Sequence, residues 1–313
     1  MVRYAVKTYT FVTQIQKFAS QDAYAILSFF KESMCDDGDV IELEFLDTDI
    51  EHFGYKTFVD LAQLFTMKLL APLKKDATTT TLRFQKLSQK SSFHNSDDAG
   101  SEKYGVESTF FAIDKIKEFS FLYHYQKALE FVDTKSKKRV LNLGINRGDE
   151  FEVIKEMLGD DAFEKIEFVG IDYSASAIEY AKEAFGADEN VTFFCHDIKK
   201  LEELNLGRFD LIISIGTLQS SNIEFNATFM SLYQNFLTEG GAMVLGFPNC
   251  RWIDSEMIYG AKAPNYPFSE LSLVLKDIHF CKKYLQQKKY RAVVTGKDYL
   301  FLSARKIGHL KNL

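Results

Sequence analysis

Between residues 139 and 248 the chain alternates short apolar runs with amphipathic stretches, and this alternation limits the possible folds more than any other feature. RVLNLGI (139–145), EFVGIDYS (167–174), VTFFCHD (191–197), FDLIISIG (209–216) and AMVLGFP (242–248) are close to continuously apolar. Strands buried on both faces read this way, and they belong to parallel sheets covered by helices. Helical spacing fills the intervals at 149–158, 176–185 and 224–237. A last helix is expected at 270–287, followed by YRAVVT and YLFLSARKI joined through Gly296-Lys297-Asp298. That ending is a hairpin, so the final strand should run antiparallel. The expected fold is α/β, a seven-stranded mostly parallel doubly wound sheet with a terminal antiparallel hairpin, plus a smaller N-terminal α+β domain.

The first 90 residues read differently. VIELEFL (40–46) and residues 80–88 alternate like half-buried strands, while 21–34 and 56–71 carry helical spacing, the latter stopping before Pro72. Apolar periodicity disappears in SSFHNSDDAGSEKYG (91–105), which reads as a linker or mobile loop. The expected organisation is an accessory domain at 1–90, a linker at 91–106 and the larger domain at 107–313, opening with an aromatic-rich helical stretch at 107–132.

Composition narrows the class. The 313 residues carry a formal net charge of -6, and their apolar and charged fractions suit a folded globular chain. Cys35, Cys195, Cys250 and Cys281 form no CxxC pair, so neither a zinc ribbon nor a disulfide framework is expected, and no metal site. The N-terminus lacks the apolar core of a signal peptide, and no window of eighteen apolar residues occurs. A cytoplasmic protein with no membrane association is the expectation.

The chemistry concentrates at strand ends. Strand 139–145 leads into Asn142-Leu143-Gly144-Ile145-Asn146-Arg147-Gly148, and a helix follows. A glycine-bearing turn between strand and helix lets a ligand approach the backbone and presents helix amides to it. Asn146 stands where glycine is usual, and Asn tolerates a left-handed backbone. The second strand ends in Asp172, a carboxylate able to accept hydrogen bonds from a ribose diol, and the third in Asp197. All three ends should lie along the carboxyl edge of the sheet, where open α/β folds bind ligands.

With these residues in place, 107–313 resembles a class I S-adenosylmethionine-dependent methyltransferase. The resemblance implies S-adenosylmethionine as cofactor and S-adenosylhomocysteine as product. It places the methionine end at the Gly144–Gly148 loop, the ribose on Asp172 and the adenine amino group on Asp197. Tyr173 and Ile198 would flank the adenine ring, with Ser214 and Gly216 completing the cofactor wall. The chain departs from the family at Asn142, where Asp or Glu is usual, and at Asn146. An amide at 142 still accepts a hydrogen bond from the methionine ammonium, without charge assistance.

The sulfonium carries the difficult chemistry, so direct in-line transfer needs alignment more than a covalent intermediate. The expected substrate wall comprises Thr217 and Gln219 at the fourth strand end, and Trp252, Tyr259 and Tyr266 in an irregular aromatic insertion from Pro248 to Phe268, read as a lid or substrate loop. Candidate catalytic side chains are His124 and Cys250. His196 should point away from Asp197, because side chains alternate along a strand. Charge is uneven: residues 36–51 hold eight acids and no Lys or Arg, whereas 276–311 hold ten basic residues against Asp277 and Asp298. A small-molecule acceptor is the leading expectation. An RNA methyltransferase using the basic C-terminal patch and a non-catalytic cofactor-binding protein are the alternatives.

Overall fold

The computed structural model describes residues 14–17, 23–88, 105–108, 111, 113–262 and 268–308. The described residues form two compact units: one drawn from within 1–95 together with 252–259, the other from within 96–251 and 260–313. The expected linker lies almost wholly outside the described residues.

In the first unit, β1 (Gln14–Lys17) pairs parallel with β2 (Val40–Leu46), which pairs antiparallel with β5 (Thr79–Lys86). β3 (Met67–Leu69) and β4 (Leu73–Lys74) also pair with β5. Helices α1 (Ala23–Glu32) and α3 (Tyr55–Leu64) place Ile26, Phe30, Phe58 and Leu61 against Ile41, Leu43, Leu82 and Phe84, one side of an alternating sheet. Two expectations change here. The helix expected over 56–71 ends at Leu64; Thr66 takes a left-handed φ of 55°, and Met67–Leu69 joins the sheet, where its backbone finds partners on β5. A third helix, α2 (Asp47–Phe53), buries no residue fully and rests only Ile50 and Phe53 against this core, too short a stripe for the sequence to show as a helix. The run of acids at 36–51 is partly paired: Glu42 with Arg83, Glu44 with Lys75 and Asp47 with Lys74.

The second unit begins with α4 (Phe119–Phe131), shorter than the expected 107–132 and preceded by a 3-10 turn at Lys115–Lys117. Then follow β6 (Arg139–Leu143), α5 (Asp149–Leu158), α6 (Asp160–Phe163), β7 (Glu167–Asp172), α7 (Ala175–Ala184), β8 (Val191–Cys195) and β9 (Phe209–Ile215). The helix expected at 224–237 is α8 (Phe225–Ser231) continued by a π turn at Leu232–Phe236. β10 (Leu237–Pro248) starts five residues before the expected strand, with a register shift between Leu237 and Ala242.

The insertion after β10 differs from the expected lid or substrate loop. Instead of an irregular loop it holds a hairpin, β11 (Cys250–Ile253) and β12 (Glu256–Tyr259). Asp254 and Ser255 between them both have positive φ, 52° and 63°, as a two-residue mirror-image turn requires. The turn lacks the glycine that would have announced it. Residues 252–259 belong to the first unit, where Ile253 and Ile258 cluster with Leu87.

α9 (Ser272–Gln287), β13 (Tyr290–Gly296) and β14 (Tyr299–Lys306) close the chain. The strand order is β13-β14-β10-β9-β6-β7-β8, parallel except for β14, which runs antiparallel to both neighbours. Alternation decides which residues meet which helices. Leu141, Leu143, Ile212, Met243, Leu245 and Leu302 face α8 and α9. The opposite face carries Phe301, on which Phe121 and Tyr125 of α4 pack.

Candidate functional site

The carboxyl ends of β6, β7, β8 and β9 build one edge. Within the turn after β6, Gly144, Asn146 and Gly148 all have positive φ, at 75°, 47° and 100°. This sequence of left-handed residues explains the two glycines and the asparagine together, since Asn is among the few side chains that accept this region. Gly144 has a second reason: an added Cβ would lie 1.9 Å from Thr217 Oγ1.

The turn is fastened from three sides. Gly144 and Ile145 donate their backbone N–H to the Ile171 carbonyl at 2.8 and 3.1 Å. The Leu143 carbonyl accepts the hydroxyls of Thr217 at 3.0 Å and Ser214 at 3.4 Å, tying the end of β9 to that of β6. Asp172, 8% exposed, accepts the backbone N–H of Asn146 at 2.9 Å and of Ser174 at 3.0 Å. Burial outweighs these bonds and lifts its carboxyl above the ordinary aspartate value. The backbone N–H of Tyr173 also bonds this carboxylate, so with three donors on two oxygens one acceptor direction remains.

Asp197, at the end of β8, accepts the backbone N–H of Lys199 at 2.9 Å and is otherwise part-exposed, with Lys199 Nζ at 3.5 Å. Tyr173, beside Asp172, is 58% exposed, whereas Ile198 is half-buried against the core. Gly216 has φ 76° and donates to the Gly246 carbonyl. Asn142, the last polar residue before the turn, is fully buried, and neither atom of its amide has a hydrogen-bond partner among the described residues.

The structure therefore gathers Asn142, Gly144, Asn146, Gly148, Asp172, Tyr173, Asp197, Ile198, Ser214, Gly216 and Thr217 along one edge, with Gln219 exposed beyond β9. Trp252 is buried and Tyr259 half-exposed, both within the first unit, and Tyr266 lies outside the described residues. His124 is a half-buried residue of α4 with its ring edge-on to Tyr123. His196 donates its Nε2–H to the Lys200 carbonyl, 2.9 Å away. Cys250 is 7% exposed, and burial pushes its thiol far above the usual range, which leaves no thiolate for nucleophilic attack near neutral pH.

Two charged side chains, Lys115 and Glu150, carry no mark of their role in the sequence. Lys115 lies 2.8 Å from Glu150 Oε1 and 3.8 Å from Asp149 Oδ2, and Glu150 is almost wholly buried. Arg147 pairs with both Asp149, at 2.7 Å, and Asp114, at 2.9 Å. A polar cleft of about 480 Å³ between α5 and α7 is lined by Arg147 of the turn and by Glu152, Lys155 and Asp188. Its cations are already engaged, Lys155 with Asp188 at 2.7 Å.

Two arginines of the basic C-terminal region sit elsewhere. Arg291 opens β13 and Arg305 nears the end of antiparallel β14, so both occupy the amino edge, about 15–20 Å of strand away from the turn. Both guanidiniums stack over Phe131, at 5.9 and 4.8 Å. No described helix is long and apolar enough to cross a membrane.

A family model described as a methyltransferase domain matches residues 134–294. None of the curated protein sequences compared with the chain matches it. Among solved structures, the chain is similar to the plantazolicin methyltransferase BpumL in complex with SAH, at 12% identity over 66% of this chain and 93% of that one, with a TM-score of 0.45. It is also similar to the N-methyltransferase NodS from Bradyrhizobium japonicum WM9 in complex with S-adenosyl-L-homocysteine, at 14% identity over 61% and 90% of the two chains, with a TM-score of 0.43.

Proposed function

Because the chain belongs to the family of methyltransferase domains, we propose that it moves the methyl group of S-adenosylmethionine to a small-molecule acceptor by direct in-line transfer. The observation that carries this reading is the left-handed turn at 144–148, locked to the buried Asp172 carboxylate and flanked by Asp197 on the next strand. These residues fit the cofactor. A ribose diol needs a fixed acceptor, which Asp172 provides, and an exocyclic amine needs one too, which Asp197 provides. The orphaned amide of Asn142 beside the turn is a buried group awaiting partners.

When bound, the cofactor supplies an electrophilic methyl carbon on a sulfonium. The chain's own work is to bind and orient. Asp172 holds the ribose and braces the turn, Asp197 takes the adenine edge, and Tyr173 and Ile198 lie against its faces. Thr217, held by the Leu143 carbonyl, fixes the width of the site between β6 and β9. Neither His124 nor Cys250 is required, because attack on a sulfonium methyl needs a base only for a protonated nucleophile. A small acceptor is favoured over RNA because Arg291 and Arg305 lie at the edge opposite the turn and the chain is acidic overall. The protein would act in the cytoplasm, with the N-terminal unit accessory to catalysis.

The test is methyl transfer from labelled S-adenosylmethionine to pooled small metabolites and, in parallel, to total RNA. Label in the small-molecule fraction is expected. Label confined to RNA would replace the acceptor class. Binding of S-adenosylhomocysteine with label in neither fraction would favour the non-catalytic reading that Asn142 invites.

A further inference from the structure

The first turn of α5 and the segment before α4 contain charges that the reading above leaves unused. Glu150 is 1% exposed, and the Lys115 ammonium beside it is 15% exposed on its side chain. Burial lifts the Glu150 carboxyl, while Glu150 and Asp149 hold Lys115 charged against the cost of its own burial. An exposed acid would complement the α5 dipole equally well. A buried ion pair, by contrast, contributes little net stability, since desolvating two charges offsets their attraction.

Geometry places this pair at the cofactor edge. Asp149 and Glu150 follow directly on Gly148, the last residue of the turn, and Lys115 pairs with both. Tyr125 of α4 donates to the Glu150 carbonyl at 3.4 Å, so the first turn of α5 lies under the face that α4 covers. Asn142 points to the same face: it is paired with Ile213, then Val244, then Ser303, in the row that alternates with the residues facing α8 and α9. One cation, one anion and one amide with both donor and acceptor unmet thus share a face around the start of α5.

We propose that Lys115, Glu150 and Asn142 receive the α-amino-acid end of the cofactor, Lys115 taking its carboxylate and Glu150 its ammonium. This rests on the cofactor reading given above. A zwitterion laid head to tail along the Lys115–Glu150 pair leaves four charges alternating in sign and the pocket neutral, so its burial meets compensating partners on both sides. Asn142 bridges them through the two amide atoms that lack partners. The acidic charge usual at strand position 142 is here supplied from the helix, at Glu150.

The test compares calorimetric binding of S-adenosylhomocysteine with that of 5′-methylthioadenosine, which keeps the adenine, ribose and sulfur but lacks the amino-acid end. Wild type should prefer S-adenosylhomocysteine by about tenfold or more, the effect of charge-assisted hydrogen bonds. Lys115→Met and Glu150→Gln should each abolish most of that preference while changing 5′-methylthioadenosine affinity by no more than about twofold. Parallel loss of both ligands would assign the pair to supporting the turn and overturn the proposal, as would an unchanged preference. Decarboxylated S-adenosylhomocysteine, titrated into wild type, needs no folded variant; binding equal to that of the parent ligand would refute the Lys115 contact. If folded wild type binds neither S-adenosylhomocysteine nor 5′-methylthioadenosine, the cofactor reading itself fails.

Discussion

Replacing Gly144 by alanine should strike the turn twice, and the two costs are separable. Its φ of 75° places an L-residue in the left-handed region, at about 1–2 kcal/mol. The new Cβ would also lie 1.9 Å from Thr217 Oγ1, so Thr217 must rotate away and give up its hydrogen bond to the Leu143 carbonyl, roughly 0.5–1.5 kcal/mol. The total is about 1.5–3.5 kcal/mol, summed from those two terms. In a Thr217→Gly background the steric conflict vanishes and the backbone term alone remains, leaving a coupling of about 1 kcal/mol, typical of residues in contact. Native-state hydrogen exchange on the amides of β6, β7 and β9 reads these differences as opening free energies. Strict additivity of the two substitutions would show that Thr217 does not crowd position 144. A cost for Gly144→Ala below about 0.5 kcal/mol would show that the left-handed turn does not form.

Asp197→Ala should weaken S-adenosylhomocysteine binding by about one to two orders of magnitude, the value of a hydrogen bond to a charged acceptor, and an unaltered calorimetric Kd would remove Asp197 from the site. Because burial raises the folded-state pKa of Asp172 above its unfolded value, its contribution to stability is fully present below the unfolded pKa and is lost as pH rises through the folded one. The stability advantage of wild type over Asp172→Asn, measured by denaturant titration, should therefore shrink as pH rises from about 4 towards neutrality, and a widening gap would contradict the assignment. Alkylation of native protein should modify exposed Cys195 and spare Cys250 and Cys281; labelling of Cys250 before unfolding would reopen a nucleophilic role for it. Charge reversal at Arg291 and Arg305 should leave methyl transfer to a small acceptor unchanged, and a large loss would connect the amino edge with catalysis.

The parallel sheet was readable because strands covered on both sides become continuous apolar runs, such as FVGI in β7 and LIISI in β9. The ends of those strands were readable for a related reason: a glycine turn and two acids at successive carboxyl ends need no tertiary information to be aligned. Other features depended on contacts that no local pattern shows. The end of α3 is set by Met67–Leu69 pairing with β5, and α2 lays only Ile50 and Phe53 on the core, too little to reveal it. The β11–β12 turn uses Asp254-Ser255 in a conformation usually marked by glycine. Lys115 and Glu150 look like ordinary surface charges in sequence, Glu150 as one of the acids that favour a helix start. Only the packing of α4 over α5 turns them inward.

The return of residues 252–259 to the first unit also sets the timing of biogenesis. Ile253 and Ile258 join Leu87 in a small apolar cluster, so that unit is incomplete until its hairpin has been synthesised, about 160 residues after Asn95. At roughly 5–20 residues per second, the interval is on the order of ten to thirty seconds. Throughout it Leu87 waits beside the emerging chain without its partners. A ribosome-bound chain stalled before residue 252 should therefore be more open to protease near Leu87 than one released past Tyr259.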